Sequence, residues 1–210
     1  MIIKLKSVVA LLCVAFTVVI ASGCSTSSVD TAAGSSSQAA VSVSVVPPKG
    51  DGGIVPNRIL IPDIGVDAVV EPKGTVDEYA PFLDQMVPSF GVPEDIADTT
   101  WWSDGPKPGS NGMAIILGHT QVGGGKAVFD DISLLREGQR FSLTSESGET
   151  VEFAVTNVVQ NISKSDPEAL NRTLSGAPSV TAVALVTCGG EFDSARDASA
   201  ENIVVFADGI

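Results

Sequence analysis

Histidine, cysteine and basic side chains are all scarce in this sequence. The 210 residues hold one histidine and three cysteines, and aromatic residues make up only 5%. So few nitrogen and sulfur ligands exclude an ordinary zinc site built from Cys and His. Lys and Arg number 12 against 25 acids, a formal net charge of −13. Nucleic-acid phosphates require clustered positive charge, so such a partner is excluded as well. The acidic balance is otherwise a statement about solubility. Asp63, Asp67 and Glu71 offer oxygens that could bind calcium, but their spacing does not demand it. No metal and no cofactor is expected.

What the chain does have is glycine, valine and alanine in a length suited to one domain plus extras, a composition that favours strands and turns. Its first residues read as an export signal. "MIIKLK" supplies two lysines, and "SVVALLCVAFTVVIA" is an apolar run shorter than the roughly 20 residues of a comfortable membrane span. The run ends in "ASGC" followed by "STSS", which resembles the lipobox of bacterial lipoproteins, with Ala21 standing where leucine is preferred. That resemblance implies that Cys24 carries a lipid and that the protein sits on the extracytoplasmic face of the membrane. Residues 25–53 are Ser, Ala, Val, Gly and Pro with almost no large side chains. They cannot bury enough apolar area to offset their ordering entropy, and are expected to form a flexible tether. The expected division is an export signal over 1–24, a linker over 25–53 and one folded domain over 54–210.

Within that domain the hydrophobic pattern predicts strands almost throughout. "NRILIPDIGVDAVVEP" alternates around a Pro and a Gly as two short strands, and "MAIILGHT" is a continuous apolar run of strand length. "QRFSLTSESGETVEFAVTNVVQ" predicts a hairpin with Phe141, Leu143, Val151, Phe153 and Val155 facing inward. "SVTAVALVTC" and "NIVVFA" predict two more strands. Two short helices are expected, over "AVFDDISLLREG", with Gly138 as its stop, and over "DPEALNRTL", with Asp166 as its N-cap. Many short strands and little helix point to an all-β barrel or sandwich.

Two strand ends carry residues able to do chemistry. His119 closes "MAIILGHT" and Cys188 closes "TAVALVTC", and each adjoins glycine: Gly118 before the histidine, Gly189 and Gly190 after the cysteine. Cys13 lies in the signal and Cys24 at its end, so Cys188 is the one thiol of the folded part and has no partner for an internal disulfide. A thiol attacks as thiolate and needs a basic or cationic neighbour. Strand ends meet at one rim of a barrel or sandwich, so the two residues can be neighbours despite the 69 positions between them. The glycines are expected to leave backbone room for a substrate chain. The residues alone leave two readings open: a Cys–His site, or a core cysteine and a hydrogen-bonded surface histidine.

"LGHT" and "LVTCGG" resemble the His and Leu-x-Thr-Cys motifs of the sortases. "RILIPDIGVDAVV" is similar to that family's opening strands, and "WWSDGPKPGSNG" to the approach to its histidine. "CGGEFD" and "NIVVFA" resemble the class F branch of actinobacteria, and the likeness runs from about Arg58 to Ala207. The resemblance implies a closed, mostly antiparallel eight-stranded β-barrel with short helices. It implies a cysteine transpeptidase that cuts a Leu-Pro-x-Thr-Gly-type signal on an exported protein and hands it to an amine, such as a cell-wall peptide. Cys188 would be the nucleophile, His119 the general acid and base, and Thr187 a residue lining the substrate site. The family arginine that steadies the oxyanion lies about a dozen residues beyond the cysteine, where this chain reads "ASAEN", Ala198 to Asn202. Arg196 in "DSARDA" is the nearest candidate. That departure leaves a catalytically weak peptide-binding lipoprotein, or a hydrolase using water, as alternatives.

Overall fold

The computed structural model of the chain describes residues 52–120 and 125–210. The expectations for the export signal and for Cys24 fall outside these residues, as does nearly all of the tether. Among the described residues no helix is long and apolar enough to cross a membrane.

Ten strands are described: β1 Pro56–Ile61, β2 Val66–Lys73, β3 Thr75–Ala80, β4 Gln85–Phe90, β5 Thr99–Trp102, β6 Ala114–Gly118, β7 Arg140–Ser145, β8 Thr150–Ser163, β9 Thr181–Asp193 and β10 Ala198–Gly209. Eight of them close a barrel in the order β1-β2-β5-β6-β9-β10-β8-β7, the last pairing back onto the first. The expected eight-stranded barrel is therefore present, and its sheet is mixed, because β2–β5 and β6–β9 are parallel pairs. Parallel neighbours need long crossovers. Here the β2-to-β5 crossover carries a separate antiparallel hairpin, β3–β4, which the sequence pattern did not predict.

Side-chain alternation explains the closure. Ile59 and Ile61 of β1, Val66, Ala68 and Val70 of β2, Phe141 and Leu143 of β7, and Phe153 and Val155 of β8 all turn into one interior core. The strands β6, β9 and β10 behave differently. Ile116, Val183, Leu185 and Val205 face the interior, whereas Ile115, Leu117, Ala184, Val186, Val204 and Phe206 form a second apolar cluster on the outer face. The helix α1, Ala169–Ser175, contributes Leu174 to this cluster, and Ile162 of β8 joins it. Burial on both faces is why "AIILG" and "TAVALV" read as unbroken apolar runs.

Both helical expectations need correction. Over "AVFDDISLLREG" there is a 3-10 turn at Ile132–Leu134 and no α-helix. Phe129, Ile132 and Leu135 are buried three residues apart, and the backbone bonds from Ile132 to Phe129 and from Leu135 to Ile132 span three residues. That spacing suits a three-residue turn better than a 3.6-residue one. In "DPEALNRTL" the helix starts at Ala169, later than an Asp166 cap requires. Asp166 instead accepts the Glu168 N–H through Oδ1 at 3.0 Å and the Ala169 N–H through its carbonyl at 3.1 Å, a tight turn ahead of the helix.

Candidate active site

The site grows out of the parallel pair β6–β9. Its register runs from Ala114 opposite Val183 to Leu117 opposite Val186, a constant offset that carries on to set His119 level with Cys188. Thr187 extends the ladder by donating from Oγ1 to the Gly118 carbonyl at 2.7 Å, and Thr120 Oγ1 donates to the Cys188 carbonyl at 3.1 Å. Strand alternation decides the face. Leu117 and Val186 belong to the outer cluster, so His119 and Cys188, two residues further on, also turn outward. Both are half-buried and both line one groove of about 350 Å³.

That groove is largely apolar. Phe82, Leu83, Val87 and Phe90 of the β3–β4 hairpin form one wall, and Pro167 and Leu170 at the start of α1 form the other. The hairpin is anchored through Phe90, whose ring meets Trp102 edge-on at 5.2 Å, and through Trp102 Nε1, which donates to Thr75 Oγ1 at 3.0 Å. Trp101 turns into the barrel and donates from Nε1 to the Pro106 carbonyl. The tryptophan pair thus serves packing. Cys188 also borders a second, more polar recess lined by Asp130, Asp131, Asp197 and Lys126, whose Nζ donates to Asp131 Oδ2 at 2.7 Å.

His119 Nε2 lies 2.8 Å from the Pro93 carbonyl. A carbonyl only accepts, so Nε2 carries the hydrogen and Nδ1 is the atom left to gain or lose a proton. The Cys188 sulfur has a partner that the sequence reading missed: Lys164 Nζ donates to Sγ at 3.0 Å. Lys164 lies 24 residues from Cys188, just beyond the end of β8, and no local motif announces it.

Arg196, the nominated arginine, is exposed in the turn between β9 and β10. Its Nη1 donates to Asp193 Oδ2 at 2.6 Å, and its guanidinium carbon stands 5.3 Å from the centre of the Phe82 ring. The hydrogen bond from Arg196 is the main cause holding the Asp193 carboxyl below the usual range. Directly across β10 from Cys188 is the uncharged Asn202. Thr187 lines the groove, with its hydroxyl engaged by Gly118.

The glycines flanking the site are required by packing. A Cβ on Gly118 would come within 2.6 Å of Phe129, and one on Gly189 within 2.6 Å of Ile203. Of the acids suited to calcium, Asp67 receives both Nε and Nη2 of Arg58, at 2.7 and 2.6 Å. Among the described residues no three His, Cys, Asp or Glu side chains are grouped as metal ligands.

A family model described as "Sortase domain" matches residues 59–210. Sortase A from Corynebacterium diphtheriae is similar in fold at a TM-score of 0.50 and 17% identity, over 75% of this chain and 61% of that one. Sortase C1 from Streptococcus suis is similar at 0.50 and 17%, over 74% and 72% of the two chains. A pilus-related sortase C of group B Streptococcus is similar at 0.50 and 15%, over 77% and 69%. Likeness at such identity speaks for the barrel alone, and no curated protein matches the chain. The family model, which covers most of the chain including His119 and Cys188, settles the membership: the chain belongs to the sortases, a family of cysteine transpeptidases.

Proposed function

We propose that this protein is an active transpeptidase of the class F type, lipid-anchored through Cys24 on the extracytoplasmic face of the membrane. It cleaves a Leu-Pro-x-Thr-Gly-type signal on exported proteins and transfers the acyl part to an amine, such as one on a cell-wall peptide. The observation that carries this reading is the β6–β9 register, whose offset, continued past Leu117 and Val186, matches His119 to Cys188, both of which line one apolar groove.

The apolar groove suits the Leu and Pro side chains of such a signal. His119 Nδ1 takes the thiol proton of Cys188, whose Sγ attacks the Thr carbonyl carbon; the carbonyl electron pair moves to oxygen, and the tetrahedral adduct collapses to a thioester as the C–N bond breaks. His119, held through Nε2 by Pro93, gives a proton from Nδ1 to the departing amine. The same nitrogen then takes a proton from the incoming amine, which attacks the thioester and expels the thiolate, and return of that proton to sulfur restores the starting pair. Thr187 acts as a positioning residue, locking the end of β6 to the middle of β9.

Incubation of the protein with a Leu-Pro-x-Thr-Gly peptide and an amine tests this. The expected results are an acyl adduct on Cys188 by mass spectrometry and a peptide joined to the amine. A Cys188→Ala protein that forms product at the same rate overturns it. A free carboxylate product whether or not amine is present marks a hydrolase. The second reading, a peptide-binding module without catalysis, draws on Asn202 opposite Cys188 and on Arg196 held by Asp193. Peptide binding with no adduct on Cys188 identifies that case.

A further inference from the structure

We propose that Lys164 is the cation of the reaction centre, the group that faces the nucleophile and then the oxyanion; this rests on the transpeptidase reading above. Among the described residues that line the apolar groove, Lys164 is the one Lys or Arg. It is half-buried, and its ammonium lies 3.0 Å from Cys188 Sγ.

A local irregularity in β8 brings it there. Opposite β10, Val159 pairs with Val204 and Ile162 with Asn202, so one extra residue is inserted between them. Asn161, with φ of 59°, occupies that bulge in the left-handed region that asparagine tolerates. Before the bulge Val159 packs against the outer cluster; after it Ile162 does. An insertion of one residue reverses which side chains face outward. Without it Lys164 would turn toward the barrel interior. With it, Lys164 follows Ile162 onto the face that carries Cys188 and His119. Its backbone N–H bonds the Ala200 carbonyl at 2.9 Å, which fixes the root of the side chain.

Two carboxylates also line the groove, Glu78 and Asp166. The Asp166 oxygens receive Arg172 at 2.6 Å and the Glu168 N–H at 3.0 Å, and the ammonium is bonded to the sulfur. In the first step the S–C bond forms and the carbonyl pair moves to an oxygen two bonds from Sγ. Negative charge therefore passes from sulfur to that oxygen, within reach of the same ammonium. A lysine is a compact point charge with rotatable donors on a flexible stem, so it can follow the charge without leaving the site. It keeps its proton throughout; the leaving amine takes its proton from His119.

The test compares the protein with its Lys164→Met, Lys164→Gln and Lys164→Arg variants, after circular dichroism has identified those that fold. Cys188 is alkylated with anionic iodoacetate and with neutral iodoacetamide, and modification is read by mass at Cys188. Loss of the cation is expected to lower the iodoacetate-to-iodoacetamide rate ratio several-fold in the neutral variants and leave it near the starting value in Lys164→Arg. In peptide turnover, kcat of the neutral variants is expected to fall on the order of 10²-fold with KM little changed, the loss typical for one oxyanion donor, with partial recovery in Lys164→Arg. An unchanged alkylation ratio, or an unchanged kcat, in Lys164→Met or Lys164→Gln overturns the proposal. The alkylation ratio needs no sorting peptide. A starting protein that forms no acyl adduct yet shows the lysine-dependent ratio overturns the transpeptidase reading alone.

Discussion

Replacing Thr187 and, separately, Thr181 by valine separates what a buried hydroxyl does at the middle and at the start of β9. Both side chains are 4% exposed on the same strand, and valine has nearly the shape of threonine and suits a strand as well. Their surroundings differ. Thr187 Oγ1 donates to the Gly118 carbonyl at 2.7 Å, whereas Thr181 Oγ1 has no hydrogen-bond partner among the described residues. Thr187→Val removes a buried bond worth about 1 kcal/mol and removes a donor from a buried carbonyl, for a total of about 1–3 kcal/mol. For a domain of this size each kcal/mol moves Tm by about 2–4 °C, so a fall of about 2–12 °C is expected. Thr181→Val relieves an unpaired hydroxyl and should be neutral or stabilising by about 1 kcal/mol. The variants should also part in catalysis. Loss of the Thr187 clasp lets the end of β6 drift against β9, and a misplacement of an ångström is costly, so kcat should fall on the order of 10-fold, with Thr181→Val unaffected. Thermal unfolding and peptide turnover measure both. Equal Tm shifts for the two variants, or a normal kcat for Thr187→Val, would refute the reasoning.

The bulge makes a second prediction. Asn161→Val puts a β-branched residue at φ of 59° and should cost about 1–3 kcal/mol, seen as a lower urea midpoint, while Asn161→Gly keeps stability near that of the parent. The acid limb makes a third. Asp166 is held below the usual carboxylate range by its hydrogen bond from Arg172 and then by the Glu168 N–H, and Asp193 by Arg196 and then by backbone N–H groups. A depressed carboxyl stabilises the fold above its unfolded value of about 3.9, and that stability is lost as pH falls through the lower folded value. The Asp166→Asn, Asp193→Asn double variant should therefore show a flatter fall of Tm below about pH 4. An unchanged slope refutes the assignment.

Most of the barrel was legible because strand periodicity survives into the structure wherever one face is buried. The β1–β2 pair and the β7–β8 hairpin fall where alternation puts them, and their inward residues are those of the interior core. The exposed β3–β4 hairpin was not legible: burial over Thr75–Ala80 never alternates, since no side chain of β3 enters a core. The turn at Ile132–Leu134 was misread because three apolar residues at intervals of three satisfy a helical template as well as a tight turn. What separates them is the closed barrel that receives Phe129 and Ile132, and no local window contains that.

The site shows the same division between local and distant information. His119 and Cys188 were visible because each ends an apolar run, and the parallel register brings those two positions level, although β9 does not end at Cys188 as expected but runs on to Asp193. The cation was not visible, and the reason lies in β10. The strand following the cysteine supplies an uncharged Asn202 at the paired position, so the charge comes from one strand further on, with β10 between. Whether Lys164 faces outward or inward depends on a single inserted residue, and nothing in "QNISKS" apart from the tolerance of Asn161 for a positive φ marks that insertion. A nominee chosen by its distance along the chain from the cysteine therefore falls on Arg196, whose guanidinium faces Asp193 and Phe82. Reaching Lys164 requires the register of two successive strand pairs, each with its own bulge. That long-range information resides in the packing of the whole outer face.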